Sequence, residues 1–242
     1  MIRHAAALVL VTACGGAPDA PIVCEQAHPL RTDQCGPTVD FTPVNSYAGD
    51  LAAIVNERED AVVLINGTCT GTLIEAVAGP VVITAGHCVR LGDRPFLVFN
   101  FEDAPDGDQL QTEGTVIEQS DAPDYALISL DTLPTVTPTP LAVSASDELA
   151  IIQHPRGMPK VVADGQLLDG CDGLLYYVDL DTLVGSSGAG VLNRSGHVVA
   201  VHTDGDCAKG GTNFGATAAS IVEASPYLED ADISVADKQA LW

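Results

Sequence analysis

From about Ala52 onward, short apolar runs alternate with turn-forming residues: AVVLI (61–65), CTGTLIEA (69–76), VVITA (81–85), FLVFNF (96–101), GTVIE (114–118) and YALISL (125–130). A second set follows: ELAIIQH (148–154), KVVADG (160–165), LLYYVDL (174–180), GVLN (190–193), HVVAVHT (197–203) and GATAASI (215–221). Runs of this length between Gly, Pro, Asn and Asp predict strands, and so many of them predict an all-β protein. The segment LPTVTPTPLAVSAS (133–146), rich in Pro, Thr and Ser, divides the runs into two groups of six. That division fits two six-stranded antiparallel barrels joined by a linker. The best helical candidate is the tail SPYLEDADISVADKQALW (225–242), so a short C-terminal helix is expected there.

The 242 residues, 46% of them hydrophobic, suffice for a substantial core. Ten basic against 33 acidic side chains give a formal charge of −23, which repels nucleic acid and anionic membrane surfaces. The N-terminus, MIRHAAALVLVTACGG, has a basic start at Arg3 and an apolar stretch too short to span a bilayer. It reads as an export signal, and Val11-Thr12-Ala13-Cys14 resembles the lipobox of bacterial lipoproteins, with Cys14 as the lipid-bearing residue. Any membrane association is expected through that lipid alone, with secretion the outcome if Cys14 is not lipidated.

Seven cysteines less Cys14 leave six: Cys24, Cys35, Cys69, Cys88, Cys171 and Cys207. In an exported chain these suggest three disulfides, with nearest-neighbour pairing the simplest of the 15 connectivities that six cysteines allow. No C-x-x-C or H-E-x-x-H is present to hold zinc, and no metal or other cofactor is expected. The loop EDAPDGD (102–108), with Asp103, Asp106 and Asp108, lacks EF-hand spacing and reads as a solvated acidic turn.

Three short stretches carry candidate chemistry. VVITAGHCVRL (81–91) places His87 where a strand ends. SDAPDYALISLD (120–131) sends Asp124 into an apolar strand, where a carboxylate needs a partner and an imidazole N–H can provide one. TLVGSSGAGVLN (182–193) brackets two serines with Gly185, Gly188 and Gly190, whose backbone freedom suits a turn that aims several N–H groups at one point.

Taken together, TAGHC, DYALISL and GSSGAG resemble the three catalytic motifs of chymotrypsin-like serine peptidases, in that fold's order of His, Asp and Ser. The resemblance covers roughly residues 50 to 225 and is nearest to the bacterial trypsin-like group that includes glutamyl endopeptidases. CTGTLI, IIQHPRGMPK, YYVDLDT and VVAVHTDGDC add to it. It implies two chymotrypsin-like barrels, at about 50–132 and 147–225, within a peptidase domain at 48–228. A signal peptide (1–13) and a tether with a cystine loop (14–47) would precede that domain, and a tail (229–242) would follow.

By the same resemblance His87 is general base and then general acid, Asp124 orients it, and Ser187 is the nucleophile. The N–H groups of Gly185 and Ser187 form the oxyanion hole, and a Cys69–Cys88 disulfide anchors the histidine turn. Thr182 and His202 fall where glutamyl endopeptidases receive an acidic side chain, which implies cleavage after Glu or Asp. Ser186 stands where trypsin-type enzymes carry the aspartate that pairs with a new N-terminus, so the oxyanion hole is expected to form without that ion pair. The expected partners are protein or peptide substrates, met by a monomer. The competing expectation is a surface lipoprotein that keeps the fold as a binding module without catalysis.

Overall fold

Residues 38–205 and 212–228 are described by the structure, a computed structural model. The first six strands are β2 (Val62–Ile65), β3 (Cys69–Ile74), β4 (Val81–Thr84), β5 (Phe96–Phe99), β6 (Leu110–Asp121) and β7 (Asp124–Leu130); β1 (Thr42–Pro43) precedes them. They close into an antiparallel barrel in the order β2-β3-β4-β7-β6-β5.

The second group is β8 (Glu148–Gln153), β9 (Val161–Cys171), β10 (Leu174–Val178), β11 (Gly190–Asn193), β12 (Val198–Gly205) and β13 (Asn213–Thr217). Its order is β9-β10-β13-β12-β11-β8, and β8 pairs back onto β9 to close the barrel. The fold is therefore two closed six-stranded antiparallel barrels of chymotrypsin-like type, as the strand pattern and the resemblance implied.

The strands read as nearly continuous apolar runs because both of their faces are covered. Side chains alternate across a strand. In the first barrel Val63, Ile65, Leu73, Val82 and Ile128 fill the interior. Their neighbours Val62, Ile74, Ile83 and Leu127 join Ile152, Val162, Val198 and Val201 of the second barrel in one shared cluster. Leu149, Ile151, Tyr177, Val191 and Val199 fill the second interior. The inter-barrel seam is thus as apolar as either core, which holds the two halves of any site lying across it in fixed relation.

Several segments differ from expectation. Residues 42–43, within the expected tether, form β1 and pair with β9 through Thr42 and Val162. A helix α1 (Ala52–Arg58) precedes the first barrel and sends Val55 into the seam. At seven residues it is too short to announce a 3.6-residue period. GATAASI is a strand only to Thr217; there the threonine hydroxyl accepts the Ser220 N–H and caps α2 (Ala218–Ala224). Of the tail 225–242, where a helix is expected, Pro226–Leu228 form a turn and residues 229–242 lie outside the described residues, as do Cys14, Cys24, Cys35 and Cys207. The linker 133–146 is strapped to both barrels by isolated bridges, Ile74 with Thr139 and Leu141 with Val198.

Candidate active site

β4 ends at Thr84, and a single 3-10 turn, Gly86–Cys88, carries His87. Cys88 is bonded to Cys69 at the start of β3, so the turn is tied to the neighbouring strand. Gly86 has no room for a side chain: a Cβ there would strike the Ser120 carbonyl and sit 2.9 Å from Asp124 Oδ1. Asp124, the first residue of β7, accepts two hydrogen bonds from one residue. His87 N–H reaches Oδ1 at 3.0 Å and His87 Nδ1 lies 2.7 Å from Oδ2. That hydrogen bond raises the His87 pKa above its usual 6.5; burial opposes it, and the charges of Asp124 and Asp204 add to it.

Ser187 comes from the second barrel, in the loop before β11. It lines the same cleft of about 790 Å³ as His87 and Asp124. The loop is two successive turns, closed by Ser186 N–H to the Leu183 carbonyl (2.9 Å) and Ala189 N–H to the Ser186 carbonyl (3.1 Å). Gly185 and Gly188 within it have φ of +103° and +89°, values that L side chains adopt only with strain. The two turns leave the N–H groups of Gly185 and Ser187 without an acceptor in the described residues. Two unclaimed donors, one of them the N–H of Ser187 itself, are what an oxyanion requires. Ser186 is buried, and its hydroxyl accepts the Leu183 N–H at 3.0 Å, so a hydroxyl staple within the turn occupies the place of an ion pair.

Thr182 and His202 are both buried and neither lines the cleft. His202 Nδ1 lies 2.5 Å from the Tyr177 hydroxyl. Burial, aided by the nearby His87, pushes its pKa down to about 3, so the ring is neutral in ordinary buffers. The cleft instead presents Asp121, Asp172 and Asp204, beside the apolar Leu174, Val184 and Phe214. No lysine or arginine lines it among the described residues. Asp204 belongs to VVAVHTDGDC, a motif legible in the sequence, but only the fold brings it into the cleft with His87.

A buried charge cluster that no sequence motif announces joins Lys160, Glu59 and Glu102. Lys160 is 1% exposed and ion-paired with Glu59 and, at 2.6 Å, with Glu102. Burial pushes the Glu59 carboxyl up to about 7, while hydrogen bonds with Glu59 and Lys160 overcome burial and hold Glu102 below its usual value. The loop 102–108 is thus solvated at Asp103, Asp106 and Asp108 but anchored at Glu102. Cys171 is disulfide-bonded, as three disulfides would require, and its expected partner Cys207 lies outside the described residues.

A family model described as a trypsin-like peptidase domain matches residues 69–201, more than half of the chain. Among solved structures, the serine endoprotease from Yersinia pestis is similar at TM-score 0.61 and 15% identity, covering 76% of this chain and 69% of that one. The Rv3671c protease in its inactive form is similar at TM-score 0.55 and 20% identity, covering 70% and 89%. No curated protein matches the sequence.

Proposed function

Because the chain belongs to the trypsin-like peptidase family, we propose that it is an exported serine endopeptidase acting through an acyl-enzyme, with Ser187 as nucleophile, His87 as proton shuttle and Asp124 as its orienting carboxylate. One observation carries this: Asp124 grips both the main chain and the ring of His87, and all three side chains, drawn from two barrels, line one cleft.

A serine hydroxyl is a poor nucleophile until a base takes its proton. As Ser187 Oγ bonds to the substrate carbonyl carbon, its proton passes to the His87 ring nitrogen that Asp124 does not hold. The carbonyl π electrons move onto oxygen, and the N–H groups of Gly185 and Ser187 receive that oxyanion. The imidazolium, stabilised by Asp124, then protonates the departing amine as the C–N bond breaks. Water repeats the sequence on the acyl-enzyme and restores the serine.

Cleavage after Glu or Asp, the preference implied by Thr182 and His202, has little support. A neutral His202 already bonded on its ring offers no cation to a carboxylate. Three further carboxylates in the cleft repel an acidic side chain and favour neutral or basic ones. Cleavage of a randomised peptide library tests this; a dominant preference for Glu or Asp before the scissile bond would reverse it. Export with lipid attachment at Cys14 rests on the N-terminal motif. Fatty-acid labelling in a bacterial host, lost in Cys14→Ala, is the expected result.

A fluorophosphonate probe tests the central claim. Labelling of the wild type but not of Ser187→Ala is expected, whereas folded wild-type protein that resists the probe would leave the binding-module alternative standing.

A further inference from the structure

Thr70, the second residue of β3, is completely buried, yet every polar atom it has is engaged across the seam or toward the histidine turn. Its hydroxyl donates to the Gly185 carbonyl at 2.8 Å and accepts the His154 N–H at 3.0 Å. Its own N–H donates to the Ser187 carbonyl at 2.9 Å. Its carbonyl accepts the Thr84 hydroxyl at 2.7 Å, at the end of the strand that leads to His87.

We propose that Thr70 is a positioning residue for the peptidase reaction, holding the peptide planes of the Gly185–Ser187 loop so that its two unclaimed N–H groups stay aimed at the cleft. The inference rests on Ser187 being the nucleophile. A trans peptide is planar with C=O and N–H on opposite sides, so fixing the carbonyl aims the amide of the next residue. Four consecutive carbonyls here are fixed from outside or within the loop. Val184 accepts from Arg156 N–H (2.6 Å), Gly185 from the Thr70 hydroxyl (2.8 Å), Ser186 from Ala189 N–H (3.1 Å) and Ser187 from Thr70 N–H (2.9 Å).

Thr70 therefore clamps two of the four planes directly, those carrying the Ser186 and Gly188 amides, which lie on either side of the plane that carries the Ser187 amide. Through His154 N–H it also secures the segment whose Arg156 N–H clamps the first, which carries the Gly185 amide. A clamp is needed because Gly185 and Gly188 have no Cβ to restrict rotation. Removing the hydroxyl leaves the Gly185 carbonyl and the His154 N–H buried and unpaired, and the plane between Gly185 and Ser186, next to the one that carries the Ser187 amide, held only at its Ser186 N–H by the Leu183 carbonyl.

Thr70→Val keeps the shape and deletes the hydroxyl, while Thr70→Ser keeps the hydroxyl. Steady-state cleavage of a peptide ester is expected to show kcat about 100-fold lower in Thr70→Val, the scale of a lost oxyanion donor, with KM changed less than about 3-fold. Thr70→Ser should restore kcat to within about 5-fold of wild type. A valine variant with wild-type kcat, or a serine variant as slow as the valine, would overturn the proposal. If Thr70→Val does not fold, Thr70→Ala takes its place, and failure of both to fold would assign Thr70 a purely structural role instead. Wild-type protein that a fluorophosphonate does not label would sink the peptidase reading itself, an outcome distinct from all of these.

Discussion

Asp124 holds His87 twice, by the main-chain N–H at 3.0 Å and by ring Nδ1 at 2.7 Å. One carboxylate thereby fixes where the residue sits and which ring nitrogen faces the cleft. Asp124→Asn keeps the size but puts an amide donor opposite a ring nitrogen that must itself donate, favouring the wrong tautomer. A fall in kcat on the order of 10⁴-fold is expected, the size seen for the equivalent change in the triad template. Circular dichroism and melting should stay close to wild type, and a loss smaller than about 10-fold would deny Asp124 its orienting role.

The raised His87 pKa sets the working range. The base must be neutral in the free enzyme, so the acid limb of kcat/KM should have its midpoint above 6.5, because the Asp124 hydrogen bond outweighs burial. The Asp204 charge pushes in the same direction, so Asp204→Asn should move that midpoint to lower pH. A pH–rate profile on a neutral ester substrate reads both, and an upward shift in the variant would contradict the assignment.

Gly185 is held at φ +103°, and a Cβ there would lie 2.6 Å from Arg156 N and 2.8 Å from the His154 carbonyl oxygen. Both obstacles are backbone, so the loop must move rather than the neighbour. Gly185→Ala is expected to lower kcat about 100- to 1,000-fold by displacing an oxyanion donor, with a smaller effect on KM. Kinetics on the same ester measure this, and near-wild-type kcat would place the oxyanion elsewhere.

What could be read from the sequence follows from how local each signal is. The strands showed because β2, β3 and β4 are apolar on both faces, and the triad showed because each member sits within a short motif of its own. Thr70 lies in the legible CTGTLI motif, but its partners Gly185 and His154 are 115 and 84 residues away, and only barrel packing brings them together. The environment of His202 was hidden for the same reason: its partner Tyr177 lies 25 residues earlier, on another strand. Thr182 and His202 therefore had to be taken from resemblance, which carries residue types but not hydrogen-bond partners. Lys160 and Glu59, 101 residues apart, left no local trace at all.

That pair supplies the sharpest test of how the barrels are held together. Lys160, directly before β9, neutralises Glu59 before the first barrel and Glu102 after β5. Lys160→Met fills a similar volume but leaves two buried carboxyls without a cation, and breaking such a group costs about 3–5 kcal/mol. The loss should depend on pH in a definite direction. Glu59 has a folded pKa pushed up to about 7 from 4.5, so its favourable contribution is present at low pH and is lost as pH rises between those values. Without the lysine, which holds that pKa down, the decline runs on to higher pH, because nothing opposes the desolvation of the ionised form. Urea unfolding should find Lys160→Met strongly destabilised at pH 8 and much closer to wild type at pH 5. Adding Glu59→Gln, which removes one of the two stranded charges, should recover part of the loss at pH 8, and a variant equally destabilised at both pH values would show that packing rather than charge is what Lys160 provides.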